Sequence, residues 1–129
     1  MLPFGHLGAA YLLSQPDQKL TLKEILLILW AALLPDFDLL VAFFLNVSHH
    51  DLITHTPLGI FLIWLFFVWF FGKDLSRRGK ILILVALFSH LLMDEAGHWF
   101  YQLGWQNVYQ EPQINWLYPL TAFPLRAGG

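Results

Sequence analysis

Cysteine is absent from the 129 residues of this chain, which excludes a disulfide framework, a thiolate metal site and a cysteine nucleophile. Charge is scarce too: charged residues are 12% of the chain, about half the share of roughly 25% in an ordinary soluble domain. Seven Lys and Arg stand against nine Asp and Glu, so there is no basic excess for nucleic acid and no solubilising tail. The opening Met1-Leu2-Pro3-Phe4-Gly5-His6 has no basic n-region, and no small-residue cleavage site follows the first apolar stretch, so no removable signal peptide is expected. A phosphate-cradling glycine loop, a nucleophile elbow and a nucleotide-binding fingerprint are all missing. What fills the chain is apolar. Residues of the AVILMFWYC set make up 57%, above the roughly 45–50% of soluble domains. So few charges cannot cover a small globule, and a single membrane-embedded domain over residues 1–129 is expected. A very apolar soluble bundle or a monotopic protein is the alternative.

Five apolar segments follow one another: 4–13, 19–34, 39–47, 57–72, and one from Lys80 towards Asp94. Thr21-Leu22-Lys23-Glu24 fits a capping box at the head of the second, and Pro35 is expected to end it. Pro57 opens the fourth at the favoured N1 position. None alternates as a barrel strand does, and the fourth is apolar all round. The fold class is therefore all-α: a polytopic transmembrane bundle of about four to five short helices. A full span needs about 20 apolar residues. The fourth and fifth segments fall short of that, so polar helix ends are expected to extend the spans. Trp99, Phe100, Tyr101, Trp105, Tyr109, Trp116 and Tyr118 crowd the stretch after segment five, which is expected to form an aromatic-rich interfacial cap.

Charge placement orients the bundle. Lys73, Arg77, Arg78 and Lys80 lie between segments four and five, and Lys19 and Lys23 lie at the start of segment two. Both places fall at one end, which the positive-inside rule makes cytoplasmic; Thr54 is then expected to face outward. The opposite end collects His6, Asp36, Asp38, His49, His50, Asp51, His55, Asp94, Glu95 and His98.

Within that set, His90 and Asp94 are i and i+4 and share a helix face. His55 belongs at the height of Asp94, because segments four and five are antiparallel neighbours. Ionisable groups at membrane depth cost about 2.5–3.5 kcal/mol each, and converging carboxylates repel one another. A divalent cation removes both problems by neutralising the carboxylates and accepting neutral imidazole. Histidine and aspartate without cysteine suit zinc, manganese or iron better than magnesium. Asp36, His55, His90 and Asp94 are the expected ligands, with His6 next. Asp38 and His50 are expected as ligands of a second metal, or as a general base and an orienting group. Asp51 follows His50 directly and should point away from it. His98, roughly 80° round the helix from His90, is expected to stand apart. Each group also has a plainer use: Pro35-Asp36-Phe37-Asp38 as an interfacial turn, His49-His50 as an exposed loop pair, His6 as an interfacial residue, and His90 as a hydrogen-bonded core residue. Only their convergence is specific.

Gly5-His6-Leu7-Gly8-Ala9-Ala10, Pro35-Asp36-Phe37-Asp38, His50-Asp51-Leu52-Ile53-Thr54-His55-Thr56, His90-Leu91-Leu92-Met93-Asp94 and Trp116-Leu117-Tyr118-Pro119 resemble, in order, the motifs of the YdjM-like inner-membrane metal-dependent hydrolases. The resemblance covers most of the chain and implies a metal-dependent hydrolase in the inner membrane. Asp51 stands where the family pattern has arginine, which removes a cation suited to an anionic group. The His-x-x-x-Asp element is also similar to part of the zinc-dependent phospholipase C and nuclease pattern, which implies a phosphoester or lipid-type substrate. A metal so held would activate water. The competing class is a non-enzymatic membrane protein whose metal is structural or transported, and a metal-free scaffold is a third.

Overall fold

A computed structural model describes residues 3–15, 19–45 and 52–105, together with Ile114, Trp116, Leu117 and Leu120. Among these residues there is no strand. The helices are α1 (Pro3–Ser14), α2 (Leu22–Leu33), α3 (Leu39–Leu45), α4 (Pro57–Phe71) and α5 (Arg77–Gln102), with 3-10 turns at Leu34–Asp38 and Ile53–His55.

The capping box forms. The Thr21 side chain accepts from Glu24 N, and Glu24 Oε2 accepts from Thr21 N at 2.8 Å. Thr56 caps α4 by accepting from Gly59 N at 3.1 Å, with Pro57 at the first position. Two sequence expectations need correction. Pro35 does not stop the helical path: α2 tightens into the 3-10 turn and runs on into α3, a stretch of 24 residues from Leu22 to Leu45. Proline removes one i→i−4 bond, yet its fixed φ suits a 3-10 turn. The fifth helix is also longer than its apolar run. Ser76 caps it three residues before Lys80, and it continues to Gln102, ending at Gly104 with φ +99°. Trp99, Phe100 and Tyr101 therefore belong to its last turns, while Tyr109 and Tyr118 lie outside the described residues.

Helix α5 is the hub, packed against α1, α2 and α4. Small residues sit at the crossings: Ala10, Ala31, Ala32 and Ala86 are buried, and Gly79 meets the Glu24 carboxylate. Such residues let helix backbones approach closely where the hydrophobic effect cannot drive association. Ile28, Ile60, Ile83, Leu87 and Leu91 fill the space between. The outer faces are apolar instead of charged. On α3, Leu40, Val41, Phe43, Phe44 and Leu45 are all exposed, and α4 exposes Trp69 and Phe70. Leu22–Leu45 and Arg77–Gln102 are long and apolar enough to cross a membrane, whereas Pro57–Phe71 is apolar but shorter.

At one end of the bundle the start of α2 meets the loop before α5. Lys23 Nζ pairs with Asp74 Oδ2 at 2.7 Å, and Ser76 N donates to Glu24 Oε1 at 2.8 Å. This brings the two basic places of the sequence together.

Candidate metal centre

The other end of the bundle gathers His6 from α1, Asp36 and Asp38 from the first 3-10 turn, His55 from the second, and His90 and Asp94 from α5. His6, His55, His90 and Asp94 are each no more than 1% exposed. His50, expected beside them, lies outside the described residues, as do His49 and Asp51.

Each side chain arrives for a local reason. The proline-induced 3-10 turn rotates Asp36 and Asp38 towards the bundle. His55 ends a 3-10 turn clamped onto the first turn of α4, where Thr56 Oγ1 donates to Ile53 O at 2.7 Å. Gly59 makes that clamp possible, because a Cβ there would collide with the Ile53 carbonyl. His90 and Asp94 project from one face of α5, as their spacing requires.

Four donor atoms face one another: Asp36 Oδ1, His55 Nε2, His90 Nε2 and Asp94 Oδ2. The two imidazole nitrogens are 3.4 Å apart. Asp36 Oδ1 lies 3.5 Å from His90 Nε2 and 3.9 Å from His55 Nε2. Asp94 Oδ2 lies 3.3 Å from His90 Nε2 and 3.8 Å from His55 Nε2. Four ligands around an ion at bonds of about 2.0–2.1 Å would be separated by about 3.3–3.5 Å. The observed spacings match that or exceed it by a few tenths of an ångström.

The rings are held in the orientation a cation needs. His55 Nδ1 lies 3.1 Å from Asp38 Oδ2, which also accepts from the Thr54 hydroxyl. His90 Nδ1 lies 2.8 Å from the Ala32 carbonyl. Both partners can only accept, so each Nδ1 donates and each neutral ring turns a lone pair inward at Nε2. Protonating both rings would instead set two positive charges 3.4 Å apart. Histidine ligands commonly donate their other nitrogen to a carboxylate or a carbonyl. The Ala32 carbonyl is available because a 3-10 continuation would hand it to residue 35, and proline has no N–H.

Asp38 thus acts through His55, in the orienting role that was one of its two expected uses. His6 stacks on His90 with ring centroids 3.8 Å apart and places Nε2 3.3 Å from Asp94 Oδ1. His98 is half-buried and belongs to neither of the two His/Asp groups able to hold an ion, His6-His90-Asp94 and Asp36-His55-His90. Three contributors escaped the sequence reading. Thr54 could have been found beside His55, and Gly59 from its place after the Thr56-Pro57 start. The Ala32 carbonyl carries no side-chain signal at all.

An apolar helical chain with a buried His/Asp cluster at one end is the architecture of a membrane protein able to hold a metal. The family described as YdjM inner membrane protein matches over residues 1–127, and the chain belongs to that family. No curated protein and no solved structure matches the chain.

Proposed function

We propose that this chain is a multi-pass inner-membrane hydrolase that uses a divalent cation held by Asp36, His55, His90 and Asp94. The observation carrying the reading is the pair of imidazole nitrogens facing each other at 3.4 Å, each ring tethered at its far nitrogen and flanked by carboxylates. Zinc fits this donor set, as do manganese and iron. When bound, such an ion lowers the pKa of a coordinated water from 15.7 to about 7 and so supplies a nucleophile at neutral pH. The residues do the rest. Asp38 and Thr54 hold His55 in register, the Ala32 carbonyl holds His90, and the buried walls exclude bulk water. Asp36 is the most open of the four donors, 16% exposed, and has the longest spacings, so substrate enters on its side.

Sidedness follows from α5. Its start at Arg77 lies at the basic end, and thirteen residues separate it from His90, about 20 Å along the helix. With the basic end cytoplasmic, the cluster sits in the outer part of a core about 30 Å thick. The scissile bond of a membrane lipid lies near that depth, which supports a phosphoester or other lipid-type substrate over a soluble one. An open apolar groove of about 460 Å³ between α1 and α5, lined by Ala9, Leu12, Leu13, Ser89, Leu92 and Met93, flanks the cluster and suits an acyl chain. The exposed aromatic residues Trp99 and Trp105 fit the headgroup level beside it.

Elemental analysis of the purified protein, followed by a phosphoester and phospholipid screen with and without chelator, tests the reading. Bound metal with chelator-sensitive turnover is expected; metal-free protein would overturn it. For sidedness, Arg78→Cys should react with an impermeant thiol reagent only after permeabilisation, and Leu103→Cys without it. The reverse pattern would invert the bundle.

One observation favours a second reading. The Leu22–Leu45 stretch breaks at Pro35 with two carboxylates at the break, and broken helices carrying charged groups build ion sites in transporters. Chelator-sensitive metal uptake into proteoliposomes, without turnover of any ester, would decide for transport.

A further inference from the structure

We propose that His6 and Asp94 form a second cation seat beside the four-donor one, with the Asp94 carboxylate bridging the two. The inference rests on the metal-centre reading above and adds an ion to it.

His6 is 1% exposed, yet neither of its ring nitrogens has a hydrogen-bond partner among the described residues. Unpaired, it would carry the desolvation penalty of a buried polar group, about 1–3 kcal/mol. Its Nε2 is nevertheless 3.3 Å from Asp94 Oδ1, off the line that a hydrogen bond requires. That distance again matches the separation of about 3.3–3.5 Å between two ligands of one ion. Two donors converging on an ion each aim beside the other, and this is the relation seen between His6 and Asp94. The second carboxylate oxygen, Oδ2, is turned to His90 Nε2 at 3.3 Å, so the two oxygens of one carboxylate serve two separate groups of donors. His90 cannot serve both, because its Nδ1 is committed to the Ala32 carbonyl.

Charge arithmetic points the same way. Asp36, Asp38 and Asp94 bring three negative charges to the pocket. One divalent ion would leave it at −1, and two would leave it at +1. Only the second balance favours an anionic ligand such as a phosphoester. With two protein donors, the second seat would also leave more of its coordination open than the first. Paired ions at about 3.5–4 Å clamp both the attacking and the leaving oxygen of an in-line displacement.

The test counts ions. Full-length protein in nanodiscs is stripped with chelator and titrated with Mn²⁺, with Zn²⁺ counted in parallel by elemental analysis. Two equivalents per chain and an exchange-coupled Mn²⁺ spectrum are expected. His6→Ala should bind one equivalent and give an uncoupled six-line spectrum, and His6→Gln, which keeps a polar side chain of similar size, should do the same. One uncoupled equivalent in the unaltered chain would overturn the second seat while leaving the four-donor site standing. Two equivalents in His6→Ala would overturn the role of His6. No bound ion in the unaltered chain would overturn the metal-centre reading and this proposal together.

Discussion

The two ends of this bundle each bury carboxylate, and they treat it in opposite ways. At the basic end Glu24 is 2% exposed, and its oxygens accept from Thr21 N at 2.8 Å, from Thr21 Oγ1 at 3.0 Å and from Ser76 N at 2.8 Å. Both of its oxygens are engaged, two helix starts are capped, and Gly79 is pressed against the carboxylate. At the other end Asp36 Oδ2, Asp38 Oδ1 and both His6 nitrogens have no hydrogen-bond partner among the described residues. A buried polar network that closes on itself holds helices together. One that is rich in acceptors and short of donors is arranged for something positive that comes from outside. Burial alone therefore does not mark a functional site; the balance of donors and acceptors does.

Substitutions can break this comparison. The largest effect is expected at α5. His90→Ala and Asp94→Ala should each weaken metal binding by about 3–5 kcal/mol, the scale of breaking a buried charge pair, and metal should be absent after purification. His98→Ala should keep its metal, as elemental analysis of the three variants would show. Next comes Glu24→Gln, which should lower stability by about 1.5–3 kcal/mol, the worth of a hydrogen bond to a charged group, while metal content stays unchanged. Thermal unfolding in detergent, paired with a metal count, reads both quantities. If Glu24→Gln lost metal at normal stability, the two ends would not be independent.

Smaller effects sharpen the contrast. Asp38→Asn should weaken metal binding about 10–100-fold, the usual cost of losing the partner that orients a ligand; isothermal titration would measure it. No change would mean that His55 is held by Thr54 and packing alone. Lys23→Ala removes only the exposed pair with Asp74 and should cost less than about 1 kcal/mol, within the reach of the same unfolding assay.

Much of this contrast was legible in the sequence. The Thr21–Glu24 capping box, Pro57 at a helix start and the i, i+4 spacing of His90 and Asp94 are local signals, and all describe local structure correctly. The convergence of Asp36, His55, His90 and Asp94 was inferred from the heights of antiparallel segments, which is crude but sufficient when loops are short. The helix path through Pro35 was not legible, because proline is equally compatible with a stop and with a 3-10 turn. The continuation of α5 past Asp94 was missed because Glu95, Gly97 and His98 dilute the apolar pattern without breaking the helix. Nor could a sequence show that Glu24 serves Ser76 as well as Thr21, since that bond joins residues 52 positions apart.

The two imidazoles of the centre are steered by different kinds of partner. His55 depends on the side chain of Asp38, so a single codon change can remove its guide. His90 depends on the main-chain oxygen of Ala32, which every residue possesses. Neutral drift at position 32 can alter packing, but it cannot delete the acceptor. The orientation of His90 is thereby insulated from mutation in a way that of His55 is not. Laboratory evolution towards a different metal or substrate should consequently accumulate its changes around Asp38 and Thr54, while the α5 side of the centre stays fixed.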